Sequence, residues 1–283
     1  MQHRLAFLIF DEKDATHASG KTLDSRSFAE LKKRWPQFFV EGKAGFHFEA
    51  DEHDPMVNEV VEFLRKHGRE PYRKRYPSRV MLETGLDRFY QVDCKRVFES
   101  QDFEQAEFFR FYPAQFIADD FEVTDGGSFR IPQRSIKGAK IGILMGYHLP
   151  VCRDSLKNLM EAESFDGLRF QHVEVSECRK PAEPLWKLES GRTMPPVINR
   201  LVDSNGTAFN PATDRCCVPE DDYWPWLLRF PEAAVRAMGD FDAALTQERF
   251  GIPLDHILIV SRRFRDWCNR RKLKLEWYPV ALE

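Results

Sequence analysis

The sequence predicts an α+β fold of mixed and antiparallel sheets with short helices, in which one strand-helix-strand unit is used twice in the C-terminal half. Three observations carry this expectation: a pattern at 148–173 returns at 256–280, a sharply delimited amphipathic helix stands among short strands in the first half, and prolines punctuate 179–231.

The repeat aligns without gaps at its start. His148-Leu149-Pro150-Val151-Cys152 falls on His256-Ile257-Leu258-Ile259-Val260, and Leu156, Leu159 and Met160 fall on Phe264, Trp267 and Cys268. One deleted residue later, Leu168-Arg169-Phe170 with Val173 meets Leu275-Glu276-Trp277 with Val280. A short apolar run, apolar residues at i, i+3 and i+4, and then alternation read as strand, amphipathic helix and strand. Neither helix can bury its own apolar face, so each copy needs a sheet or a partner to cover it.

In chain order, Leu5 to Phe10 reads as a buried first strand, followed by a polar loop at Asp11 to Ser25 and a helix at Ser27 to Trp35 halted by Pro36. A strand at Phe46 to Glu49 precedes the clearest helix, with Asp54 as N-cap, Pro55 at its first position, Met56, Val57, Val60, Val61 and Leu64 on one face, and Gly68 as terminator. Arg79 to Leu82 and Phe89 to Cys94 form a hairpin around Gly85-Leu86-Asp87, and Asp102 to Phe111 is expected to be helical. Asp125-Gly126-Gly127 marks a turn, and Ile141 to Met145 a strand feeding the first copy. Pro181, Pro184, Pro195, Pro196, Pro211, Pro219, Pro225 and Pro231 imply extended segments and turns between the copies. Helices at Pro231 to Met238 and Phe241 to Arg249 lead into the second. The expected organisation is an N-terminal α+β region, 1–130, and a C-terminal α+β region, 131–283, that holds both copies.

With 283 residues, 42% apolar, the chain can bury a core without staples. Lys plus Arg is 42 against 45 for Asp plus Glu, which argues against a nucleic-acid coat. No apolar run approaches the ~20 residues of a membrane span, and the start is too quickly charged for a signal peptide. Cysteines 94, 152, 178, 216, 217 and 268 form no C-x-x-C pair, so a reduced cytoplasmic location is expected.

Several clusters offer chemistry. Glu49, Asp51, Glu52, His53 and Asp54 have oxygen ligands for a divalent cation, but Asp54 is committed to a helix cap and acids there favour the dipole anyway. Arg65, Lys66, Arg69, Arg73, Lys74, Arg75 and Arg79, with His67, Tyr72 and Tyr76, could grip phosphates; a solvated loop or an acidic protein partner explains them better. Arg262, Arg263, Arg265, Arg270 and Arg271 read as a solvated helix face. His148 and His256, at matching positions, are expected to be satisfied by backbone carbonyls. Cys216-Cys217 has too few soft neighbours for zinc. Asp221-Asp222-Tyr223-Trp224-Pro225-Trp226 has the make-up of a contact surface, rigid aromatics behind a charged rim, or alternatively of core plugs. No G-x-S-x-G, phosphate loop, H-E-x-x-H or Rossmann fingerprint occurs.

Ile257-Leu258-Ile259-Val260-Ser261-Arg262-Arg263-Phe264-Arg265-Asp266, with Leu275-Glu276-Trp277-Tyr278-Pro279-Val280 at the chain end, resembles the closing segment of bacterial polymorphic-toxin immunity proteins. It is similar also to the related double-CxxCG group, in which an earlier strand-helix-strand copy and a stretch like Glu183-Pro184-Leu185-Trp186-Lys187-Leu188 precede that ending. The likeness covers the C-terminal half. The paired C-x-x-C that names the group is absent here, so its zinc ribbon is not expected.

The resemblance implies a cytoplasmic binding protein that neutralises a cognate toxin by contact, without catalytic groups, cofactor or metal. Partner-binding candidates are Asp221, Asp222, Tyr223, Trp224 and Trp226, with Arg73, Lys74 and Arg75 as a second patch. Two alternatives stay open: a metal-dependent hydrolase or nuclease built on Glu49, Asp51 and His53, and a regulatory module whose repeats form a homodimer face.

Overall fold

A computed structural model describes residues 2–11, 13, 22–39, 45–51, 53–67, 74–76, 79–84, 88–124, 129–144, 150–176, 183–203, 207–214, 217–220, 225–250 and 255–283. The fold is α+β, with mixed and antiparallel sheets. Contacts divide the chain into two units: Met1–Glu99 with Ser204–Gly206 and Pro219–Trp226, and Ser100–Asp203 with Thr207–Val218 and Leu227–Glu283. The division at Glu99 differs from the boundary near residue 130 that the sequence suggested. The reason is a single strand, Phe108–Pro113, that fills the middle of the last sheet.

In the first unit, β1 (Gln2–Asp11) pairs in parallel with the short β2 (Thr22–Leu23) at its end and antiparallel with β3 (Phe46–Asp51). On its other side lies the antiparallel run β6 (Arg88–Val97), β5 (Arg79–Thr84) and β4 (Lys74–Tyr76). Leu5, Phe7 and Ile9 alternate inward on β1, as do Phe46, Phe48 and Ala50 on β3. Helices α1 (Ser25–Arg34) and α2 (Pro55–Lys66) cover them with Leu31, Val57, Val60, Phe63 and Leu64. Both helices start at an Asp: Asp24 accepts from the backbone of Arg26 and Ser27, and Asp54 from Met56.

The second unit opens with α3 (Ser100–Gln105) and β7 (Phe108–Pro113), so the helix expected over Asp102 to Phe111 ends after one turn and its phenylalanines become a strand. There follow β8 (Phe116–Ala118), β9 (Glu122–Val123), β10 (Phe129–Pro132) and β11 (Ile141–Leu144). The first copy is β12 (Pro150–Arg153), α4 (Asp154–Ala162) and β13 (Leu168–Ser176), with β14 (Leu185–Ser190) returning beside it. Beyond β14 the proline-rich stretch holds, among the described residues, the short strands β15 (Leu201–Val202), β16 (Val218–Pro219) and β17 (Arg229–Phe230). Then come α5 (Glu232–Ala237), β18 (Ala243–Phe250), and the second copy, β19 (Asp255–Ser261), α6 (Arg262–Arg270) and β20 (Leu275–Pro279), before β21 (Ala281–Leu282). The helix expected at Phe241 to Arg249 is β18 instead. Its Ala, Leu, Gln and Glu favour a helix alone, but pairing with β19 and burial of alternate residues override that preference.

The duplication is real in three dimensions. The first sheet contains the order β11-β12-β14-β13 and the second has β18-β19-β7-β20, antiparallel at every step. Each copy is therefore a strand-helix-strand unit whose two parallel strands are separated by an antiparallel insert. The registers agree: Cys152 faces Trp186 as Val260 faces Phe109, and Phe170 faces Leu188 as Trp277 faces Phe111. Backbone bonds agree as well, Arg153 N–H to Lys140 and Asp154 N–H to Pro184 in one copy, Ser261 N–H to Asp242 and Arg262 N–H to Glu107 in the other. Even the strained residue after each helix matches, Ser164 with φ 52 and Lys272 with φ 53. The insert is β14 in one copy and β7, from far upstream, in the other.

Both helices face one core. Leu156 and Phe264, Met160 and Cys268, and Cys152 and Val260 all belong to it. Equivalent residues also meet directly, since Glu163 accepts from Arg271 at 3.2 Å and from the Trp267 indole at 2.6 Å, while Phe165 packs on Phe264 and Trp267. The two helices thus cover much of each other's apolar face within one chain. Among the described residues no helix is long and apolar enough to cross a membrane.

Candidate functional site: a concavity on the first copy

Helix α4 lacks a side-chain cap of its own. The carboxylate of Glu183, just before β14, accepts from the Ser155 N–H at 2.9 Å and fills that role from a neighbouring strand. Hydrogen bonds from Ser155, reinforced by the Arg153 guanidinium, hold the Glu183 carboxyl below the usual carboxylate range. Asp154, at the first helical position, accepts from the Trp186 indole at 2.8 Å and from Asn158 at 3.0 Å, fixing the Trp186 ring. One turn on, Lys157 pairs with Glu161 and lays its ammonium 4.7 Å from the Trp186 ring and 5.7 Å from that of Phe170.

These groups surround an open concavity of about 620 Å³, lined by Met160, Phe165, Leu168, Phe170 and Trp186 with the charges of Lys157, Glu161 and Arg169. Leu159, on the same helix, is 48% exposed, whereas its counterpart Trp267 is 1% exposed. The concavity thus has aromatic walls with a cation held over them.

The acidic cluster is arranged for structure. Asp51 accepts from the His53 N–H at 2.9 Å, Asp54 caps α2, and Glu49 points outward on β3. Among the described residues no three His, Cys, Asp or Glu side chains gather as a metal site. Glu52 lies outside the described residues. His256 bonds the Thr246 carbonyl at 2.7 Å, as expected of a strand-edge histidine; His148 lies outside the described residues. Cys152, Cys217 and Cys268 are buried and form no disulfide, and burial pushes Cys152 up to about 12.

The arginines of α6 form the exposed face that was expected, Arg265 alone being half-buried, and several of them also hold partners. Arg262 donates to the carbonyls of Glu104 and Ala106, Arg263 to Asp242, and Arg271 lies 4.0 Å over Trp267. Their long stems let the guanidinium groups fold back onto apolar and carbonyl surface. A second hollow, about 350 Å³, beside Ser261 is also bordered by an ion pair, the two terminal guanidinium nitrogens of Arg236 each donating to one Glu107 carboxylate oxygen at 2.6 Å.

Of the partner-binding candidates, Asp221, Asp222, Tyr223, Trp224 and Arg73 lie outside the described residues. Trp226 is 6% exposed, which fits the core-plug reading and withdraws it from the accessible anchors. Lys74 and Arg75 lie on β4, opposite Met81 and Val80. Lys157, Phe170 and Trp186, which line the concavity, were not among the candidates expected from the sequence. The signal was present, because the repeat sets Lys157 against Arg265, and the inserts read Trp186-Lys187-Leu188 and Phe109-Arg110-Phe111.

Comparison of the chain with protein-family models, curated proteins and solved structures returned no match.

Proposed function

We propose that this chain is an immunity-type binding protein, which acts in the cytoplasm of the producing cell and neutralises a cognate bacterial toxin by protein-protein contact. The observation that carries the reading is the open aromatic concavity with Lys157 over Trp186 and Phe170. Such a surface supplies what a neutralising protein requires, a rigid anchor site on a stable scaffold. The resemblance of the C-terminal half to toxin-immunity proteins supports the same reading, since it rests on the strand-helix-strand unit that builds the concavity.

Native co-expression with the protein encoded beside it tests this. The expected product is a one-to-one complex that survives gel filtration; recovery of the lone chain with the neighbour in excess overturns the reading.

A further inference from the structure

The second copy shows how its own version of this concavity is closed. There Phe109 stands in the place of Trp186, and the ring of Phe103 stacks on it with centroids 6.4 Å apart and planes 9° from parallel. Arg265, in the place of Lys157, lies 5.5 Å from the Phe103 ring and 4.5 Å from that of Phe109, and its guanidinium donates to the Phe103 carbonyl. Trp277, in the place of Phe170, donates its indole N–H to Asn269, which replaces Glu161. Phe103 arrives on the single helical turn Ser100–Gln105, with Asp102 and Glu104 on either side of it. An acid-flanked aromatic on a short helix is therefore what this architecture accepts between a helix cation and the ring of the central strand.

In the first copy the cation and the two rings are in place, but the space above them is open. Its volume, about 620 Å³, falls in the range that takes an inserted side chain group. Lys157 and Arg169 against the single acid Glu161 leave the lining net positive. We propose that this concavity is the docking socket for a partner protein's aromatic side chain, carried on a short helical turn with acidic neighbours and seated as Phe103 is in the second copy. The proposal rests on the reading of the chain as a binding protein and names the part of the partner that it grips.

The probe is a capped peptide of residues 98–107, which presents Phe103 between Asp102 and Glu104, titrated into the full-length protein while the Trp186 indole N–H resonance is followed; Trp186→Phe assigns that resonance. The peptide is expected to shift it, and the same peptide with Phe103→Ala to leave it in place. Phe170→Trp, which fills the socket as Trp277 does, and Lys157→Glu, which reverses its charge, are each expected to weaken binding about tenfold, with the melting temperature and circular dichroism unchanged. A Trp186 resonance that does not move, or moves equally in Phe170→Trp, overturns the socket. The neighbour-encoded protein separates the two claims. If it binds wild type and both variants equally, the socket assignment falls while the function stands; if it does not bind wild type but the peptide does, the function falls and the socket stands.

Discussion

The two copies share their strand order, their registers and even a left-handed residue at the same place, yet one is closed and the other is not. In the second copy several equivalent positions are larger or better covered: Trp267 for Leu159, Trp277 for Phe170, and the Phe103 ring stacked on Phe109 where Trp186 borders the open concavity. On the opposite sheet face the contrast persists. Arg110 is 1% exposed between the rings of Tyr112 and Tyr278, and burial pulls its pKa down to about 10. Its counterpart Lys187 sits near Phe129 and pairs with Glu189. A duplicated unit need keep only its backbone geometry and one apolar seam; the other surfaces are then free to differ. Here one copy is invested in the core and the other presents an open surface.

The largest test of that division is at the helix centres. Trp267→Ala should cost about 3–5 kcal/mol in chemical denaturation of the full chain, because it empties the seam between the copies, while Leu159→Ala should fall within about 0.5 kcal/mol. Equal losses would mean that α4 is covered after all. Next come the central strands: Arg110→Ala should cost about 3 kcal/mol through lost packing of its buried stem and guanidinium, and Lys187→Ala about 1 kcal/mol. A reversed order in melting temperature would remove the contrast between the sheet faces.

A smaller effect concerns acid. Arg236 lowers the Glu107 carboxyl, and hydrogen bonds from Ser155 lower that of Glu183, both below the ordinary 4.5. A carboxyl depressed in the folded state stabilises it above the unfolded pKa and loses that contribution as pH falls through the folded one. Glu107→Gln and Glu183→Gln should therefore each lower stability at pH 7 by no more than about 1 kcal/mol, given their exposure, with the difference from wild type closing below pH 4.5. The smallest effect is the most diagnostic of symmetry. Ser164→Gly and Lys272→Gly relieve the same positive φ, and each should gain about 0.5 kcal/mol. Unequal changes in unfolding midpoint would show that the two turns are held differently.

Much of the fold was legible because its signals are local. Asp54 and Pro55 announce α2 wherever the chain goes, and the repeat at 148–173 and 256–280 exposed both strand-helix-strand units. Two expected helices became strands, since Phe108 to Pro113 and Ala243 to Phe250 take their conformation from partners distant in sequence. The concavity was not legible for the same reason. Lys157, Phe170 and Trp186 come from a helix and two strands, and only the sheet brings them together.

The sequence by itself determined the α+β class, the duplicated unit and the start of α2, all of which follow from side-chain periodicity and capping within a dozen residues. The tertiary structure decided which strand fills each central slot, that the two helices share one core, and which copy keeps an open face. These depend on pairing and burial between segments far apart in the chain, where local propensity has no vote.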